Sequence, residues 1–384
     1  MIFPNIFKNS FDISRNKKIS IFVIIAVSSL LIRLSYVSFD VPLFFDNLTY
    51  FNYAIEISKL GQLPQTYYLA NNGWSIFLSF FFTIFQHNET NDLMQLQKIL
   101  SIVLSTSTII PLYYLLKKFF NFSLIFLGVI IFAFEPRLIQ NSILGIADPL
   151  YILLITTSFV FFLNYSIKNT YISFALVSLA TLVRSEGIFV FAAFVILLFF
   201  KEKKKIKLPK YIPAIAIFFL ILLPMIAHQH QIEEKDTIFG RVVGVTEIII
   251  QDPKQTDGQS GSVFILRGLE NFPKYFVWDL IPIFIVFFPV GIFYLFKEMN
   301  FEKKFVIITG ISMMIPAFYA YSIPLLDTRY LYFIYPLLTI VSLLGIQRLI
   351  KNSNKKIPII ILISIGVILA SLVYLSIKII HGFY

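Results

Sequence analysis

The chain has 384 residues, of which 58% are hydrophobic and only 14% charged, against about 25% charged in an ordinary soluble domain; its mean hydropathy is +0.81. That balance excludes a water-soluble enzyme, and the lack of cysteine excludes disulfide scaffolds, thiol catalysis and cysteine metal sites. The net charge of +11 reads as basic loops beside a membrane and not as nucleic-acid binding, because the lysines cluster next to apolar stretches about 20 residues long.

Backbone polar groups inside hydrocarbon must bond within their own segment, so these stretches predict transmembrane helices. About eleven are expected, at 19–38, 97–116, 122–134, 149–166, 170–183, 187–200, 211–227, 276–296, 305–322, 330–349 and 357–378. The first follows Lys17 and Lys18 but runs longer than a signal peptide and lacks a small-x-small cleavage site, so it is expected to stay as an anchor. Counting the apolar stretch 74–85 as a further span would reverse every later helix. Left outside as an interfacial helix, it puts most of the basic residues on inner loops. The N-terminus is then cytoplasmic and the C-terminus external. The long loops 39–96, 135–148 and 228–275 lie outside, and residues 1–384 form one membrane-embedded unit with no separate soluble domain. No GxxxxGK[ST] or GxGxxG pattern indicates a nucleotide site.

The first external loop opens FFDNLTYFNYAIEISKLGQLP. Asp46 follows an apolar run and heads a helix in which Leu48, Phe51 and Ile55 share one stripe and Asn52, Glu56 and Lys59 another, the pattern of a membrane-surface helix. As a residue type, Asp46 serves equally as an ordinary N-cap. The following LPQTYYLANNGWSIFLSFFF places Tyr, Asn, Gly and Trp74 before a short apolar helix, as a headgroup-level platform does. Asn47 and Asn88 head sequons, NLT and NET, of a kind that chance also produces.

The second loop reads EPRLIQNSILGIADPLY. Glu135 and Arg137 leave one span, and Asp148 stands before Pro149 at the start of the next, where a helix cap is the plain alternative. Asp46 and Asp148 are nevertheless both external, at membrane level and at helix starts. Two such carboxylates can hold a divalent cation such as Mg or Mn, or divide the work of a general base and its orienting partner. Arg184 and Glu186 form the turn LVRSEG, and Asp327 with Arg329 lies in PLLDTRYLYFIYPLL. Charges so near hydrocarbon are either locally paired or used, and guanidinium groups suit a lipid phosphate. His228 and His230 open the third loop as HxH without a third ligand at set spacing, so a solvated loop is expected there, running on into the turn-rich QDPKQTDGQSGS.

Taken in order, Phe45-Asp46-Asn47 with Tyr50, Gly73-Trp74, Gly145-Ile146-Ala147-Asp148, Leu182-Val183-Arg184-Ser185-Glu186-Gly187 and Arg329-Tyr330 resemble the GT-C class of integral-membrane glycosyltransferases. The likeness is to the protein O-mannosyltransferase and aminoarabinose-transferase branch, and more distantly to the oligosaccharyltransferase catalytic subunit. It implies an all-α polytopic fold and inverting transfer of a sugar, a hexose such as mannose, from a polyprenyl- or dolichyl-phosphate donor to a protein or lipid acceptor at the outer face of the cell membrane. Carried over residue by residue, the resemblance makes Asp46 the catalytic base and Asp148 its partner or an acceptor-site carboxylate, with any metal held by these two. It assigns Arg137, Arg184 and Arg329 to the donor phosphate and Asn47, Tyr50, Glu56, Trp74, Glu135, Glu186 and Tyr330 to the substrate pocket. Asn47 departs from the branch, which often has a second acid there. The alternative is a transporter or lipid-linked sugar flippase, which predicts broken helices with charges at the bilayer midplane, whereas these charges fall at helix ends.

Overall fold

The computed structural model describes residues 14–67, 69–85, 89–201, 208–233, 261–323, 327–351 and 353–380. The Asn88 sequon and most of the turn-rich stretch after 250 lie outside these residues. All regular structure among the described residues is helical: α1 (Arg15–Tyr36), α2 (Asp46–Leu60), α3 (Gly73–Ile84), α4 (Thr90–Ser107), α5 (Ile109–Leu116), α6 (Phe122–Ala133), α7 (Pro136–Ile143), α8 (Asp148–Phe162), α9 (Ile167–Val183), α10 (Gly187–Lys201), α11 (Ile212–Glu233), α12 (Gly261–Leu280), α13 (Phe288–Phe296), α14 (Phe301–Ser322), α15 (Tyr335–Ile350) and α16 (Lys356–Ile380), with 3-10 turns at Leu208–Tyr211 and Thr328–Ile334.

This is a multi-pass membrane architecture. Six of the helices are long and apolar enough to cross a membrane, or seven if the bent pair α6–α7 counts as one span, against the eleven expected. The shorter apolar helices α3, α8, α9 and α10 have 12, 15, 17 and 15 residues, which is about 18 to 26 Å at 1.5 Å per residue against a hydrocarbon core of about 30 Å. The expected span 276–296 is interrupted: α12 ends at Leu280 and α13 begins at Phe288. Pro282 in the break and Pro289 in the first turn of α13 have no N–H to continue a helix ladder.

Side chains from neighbouring helices complete the broken backbone elsewhere. The 47° bend between α6 and α7 comes just before Pro136, and the carbonyl of Ala133 at the break accepts from Arg33 Nη1 at 3.0 Å and from Ser29 Oγ at 3.2 Å. Both donors are buried on α1, which is how non-helical backbone is tolerated at membrane depth. The C-terminal part of α8 packs through aromatic rings: Phe162 stacks on Phe194 at 4.0 Å, and Phe159 meets Phe305 edge-on at 5.3 Å.

Two parts of the expected loop 228–275 are helical. α11 continues to Glu233, so His228 and His230 lie in its last turns, and a ring nitrogen of His228 is 2.9 Å from the Pro64 carbonyl, tying the first loop to the helix. α12 begins at Gly261, its Phe264 and Phe272 packing on Tyr319 and Phe318 of α14. Its apolar residues recur at helical spacing without forming a continuous run, so a search for long apolar blocks passes over it.

Candidate active site

Asp148 opens α8, and Arg184 joins the end of α9 to the start of α10. Because α8 and α9 are antiparallel neighbours with a short connection, both residues come to the same end of the bundle. Arg184 Nη1 pairs with Asp148 Oδ1 at 2.5 Å and Nη2 with Glu186 Oε1 at 2.8 Å. Asp148 is fully buried and its side chain caps nothing. Its other oxygen, Oδ2, accepts from Asn141 Nδ2 at 2.9 Å. Burial works against the Arg184 charge, but Glu186 and Asp148 hold the guanidinium above its ordinary value. The rings of Phe333 and Tyr330 lie 4.6 and 5.9 Å from it.

Asp46 stands in the first turn of α2, exposed, and makes no cap, hydrogen bond or ion pair among the described residues. Phe45 before it has φ 49 and ψ −133, a region that bulky residues rarely adopt, and its ring is 84% exposed. Tyr50 lies one turn into α2. Its phenol is pushed above the ordinary value first by burial; Arg184 lowers it, while Asp46, Asp148 and Glu186 raise it. Arg329 completes the group: it pairs with Asp327 at 2.5 Å with about a third of its side chain exposed, and interacts electrostatically with Asp148 and Arg184.

Beneath these charges lies a frame of amide bonds. Gly145, in the left-handed region at φ 74, turns its carbonyl to accept from Gln97 Nε2 at 2.7 Å and from Trp74 Nε1 at 3.2 Å. Asn47 Nδ2 donates to the Leu144 carbonyl at 2.9 Å, and Gln97 also donates to the Asn47 carbonyl at 3.1 Å. A Cβ on Gly73 would meet the Leu182 and Val183 backbone at 2.7 Å, so glycine there lets α3 press against the end of α9. Asn71 then accepts from the Ser185 N–H at 3.1 Å. Trp74 and Asn47, expected in the pocket, are buried struts of this frame. Gly145→Ala forces the left-handed conformation on a residue with a Cβ that meets Gln97 Cγ and Leu43 Cδ2 at 3.3 Å. It is expected to cost about 1–2 kcal/mol, read as a fall in melting temperature in detergent.

Three expected site residues lie elsewhere. Glu56 accepts from the Tyr67 hydroxyl at 2.7 Å, about 15 Å along α2 from Asp46 at the helical rise. Arg137 is buried in a second cluster, donating to the carbonyls of Trp278 (2.6 Å), Asp279 (3.3 Å) and Ile281 and pairing with Asp279 (3.5 Å) and Glu135 (3.9 Å). Tyr335 donates to the same Asp279 carboxylate at 2.9 Å. With its donors so committed, Arg137 clasps the end of α12, and Glu135 is part of that clasp. Sequence reasoning passed over Gln97, Asn141 and Asn71; polar amides flanking apolar runs are the only signal they leave.

Both oxygens of Asp148 are engaged, and no group of three or more His, Asp or Glu residues among the described residues converges as ligands.

Residues 73–228 match the family described as dolichyl-phosphate-mannose-protein mannosyltransferase, a segment holding Trp74, Asp148, Arg184 and Glu186. No curated protein sequence matches the chain. Among solved structures, the oligosaccharyltransferase of Archaeoglobus fulgidus, determined with Zn and sulfate, is similar over 93% of this chain and 52% of its own, at TM-score 0.68 and 15% identity. The same organism's AglB, determined with an inhibitory peptide and dolichol-phosphate, is similar over 94% and 56%, at TM-score 0.64 and 13% identity. ArnT from Cupriavidus metallidurans, bound to undecaprenyl phosphate, is similar over 87% and 61%, at TM-score 0.62 and 12% identity. The chain spans about half the length of the oligosaccharyltransferases it matches, and at these identities the likeness is one of fold.

Proposed function

Starting from a chain with the GT-C fold shared by these oligosaccharyltransferase and ArnT structures, we propose that it is a membrane glycosyltransferase. It moves a sugar, of hexose type, from a polyprenyl-phosphate donor to a protein or lipid acceptor at the outer membrane face, with inversion. The N-terminus is cytoplasmic in this reading, as the distribution of basic residues supports. The observation that carries the proposal is the Arg184 guanidinium held between Asp148 and Glu186, with Tyr50 of the Asp46 helix and Arg329 within electrostatic reach of that group.

In the reaction the acceptor oxygen attacks the anomeric carbon as its proton passes to the Asp46 carboxylate, and the bond from that carbon to the phosphate oxygen breaks with its electron pair leaving on the polyprenyl phosphate. Asp46 suits the base because it is the acid left exposed and unpaired, whereas Asp148 is committed to Arg184 and Asn141. Arg184 stands between two carboxylates, so much of its charge is already offset. Arg329, a third exposed, is the guanidinium that a phosphate entering from the bilayer meets first, and the two together offset charge building on the departing phosphate. The test is transfer from a labelled polyprenyl-phosphate hexose in membranes containing the protein. Arg329→Ala is expected to raise the donor KM about tenfold, as the loss of one charge-assisted hydrogen bond does. An unchanged donor titration would leave Arg329 only its pairing with Asp327.

A further inference from the structure

Asn141 is buried on α7, seven residues before Asp148, and is committed at one end of its amide. Its NH2 group donates to Asp148 Oδ2. The opposite orientation would set two acceptors against each other, so the carboxylate itself selects this one. The amide oxygen is buried without a protein partner. Asn141 also lines a cavity bounded by Ser105, Thr108, Phe132, Leu138 and Ile152, with room for about one water molecule. Asp148 is thus held at both oxygens, by Arg184 on Oδ1 and Asn141 on Oδ2. With two fixed donors the carboxylate cannot turn about its last torsion, and Arg184 Nη1 has a stationary anion to bind.

We infer that Asn141 is a positioning residue for donor-phosphate binding, acting through Asp148 to fix the direction of Arg184. The inference rests on the proposed transferase reading, in which Arg184 and Arg329 receive the donor phosphate. Without the Asn141 donor, Asp148 is free to rotate, and Arg184 relaxes toward its remaining partner, Glu186. Asp46 on α2, which serves the acceptor, makes no hydrogen bond with Asn141 among the described residues.

The test compares wild type with Asn141→Asp, which keeps size and replaces the donor by a second acceptor, and Asn141→Leu, which removes both polar ends. Wild-type transfer is measured first, so that absent transfer counts against the transferase reading and not against Asn141. Expected for both variants is a rise in donor KM of about tenfold or more, with acceptor KM within about twofold of wild type; a hydrogen bond to a charged group has about that worth. Binding of undecaprenyl phosphate alone, followed without turnover, is expected to weaken by the same factor. Donor KM and undecaprenyl phosphate binding that stay at wild-type values, or an equal rise in acceptor KM, overturn the inference. If either single variant fails to fold, the exchange Asn141→Asp with Asp148→Asn keeps one carboxylate and one amide across the same bond. It is expected to fold and still bind undecaprenyl phosphate weakly, because the charge has moved away from Arg184; wild-type binding by the exchanged protein overturns the inference as well.

Discussion

Asp46→Asn is expected to abolish sugar transfer while leaving the protein folded. The amide keeps the size and polarity of the side chain but cannot take a proton from an acceptor hydroxyl, and general-base catalysis contributes about 10² to 10⁴ in rate. Structural damage is a poor competing account, because Asp46 is exposed and makes no hydrogen bond or ion pair among the described residues. A surface change of that kind stays within about 0.5 kcal/mol. The check pairs a transfer assay at saturating donor and acceptor with a melting curve in detergent. Near wild-type turnover by a well-folded Asp46→Asn protein would remove the base from this mechanism. Loss of turnover together with an unchanged melting temperature and unchanged undecaprenyl phosphate binding is the expected pattern, since the carboxylate is needed for the chemical step and not for holding the lipid.

Arg184→Ala is expected to damage both stability and activity. It strands Asp148, fully buried, without the guanidinium that binds it at 2.5 Å, and removes from Glu186 a partner at 2.8 Å. Breaking a buried pair by removing one partner costs about 3–5 kcal/mol, because a charge is left uncompensated where water cannot reach it. The Phe333 and Tyr330 rings lose their cation at the same time. The triple variant with Asp148→Asn and Glu186→Gln is expected to recover much of the melting temperature, since no buried charge is then unpaired, and to remain inactive. Arg184→Lys is expected to fall between, a single ammonium being unable to reach both carboxylates with the fork of the guanidinium. A triple variant as unstable as Arg184→Ala would show that packing around Arg184, and not its charge, holds this end of the bundle.

The helices were readable where the signal is local. Asp46 begins α2 and Leu60 ends it as the stripes of Phe51 and Ile55 against Asn52 and Lys59 predict, and the turn carrying Arg184 falls between two helices as LVRSEG indicates. Where the sequence reading failed, the cause lay in a rule tuned to long apolar blocks. Such a rule joined 276–296 across Pro282 and Pro289, and it left α12 up to Tyr275 in a loop because Arg267, Glu270 and Lys274 break its apolar residues into short pieces. Among the site residues, residue type alone treated Arg137, Arg184 and Arg329 as equivalent cations. In three dimensions Arg137 is spent on the carbonyls ending α12, Arg184 is clamped between two acids, and Arg329 keeps an exposed face.

The amino-acid sequence by itself determined that this chain is helical and membrane-embedded, because burial of apolar runs and internal satisfaction of backbone groups depend on residues near one another along the chain. Tertiary structure alone decided which charges meet. Asp148 and Arg184 are 36 positions apart, and Arg137 and the Asp279 carbonyl 142. Pairing across such separations is set by how helices pack and where prolines interrupt them. A buried carboxylate takes whichever donor the packing brings within reach, here Asn141 and Arg184 for Asp148, and no local pattern of residues encodes that choice.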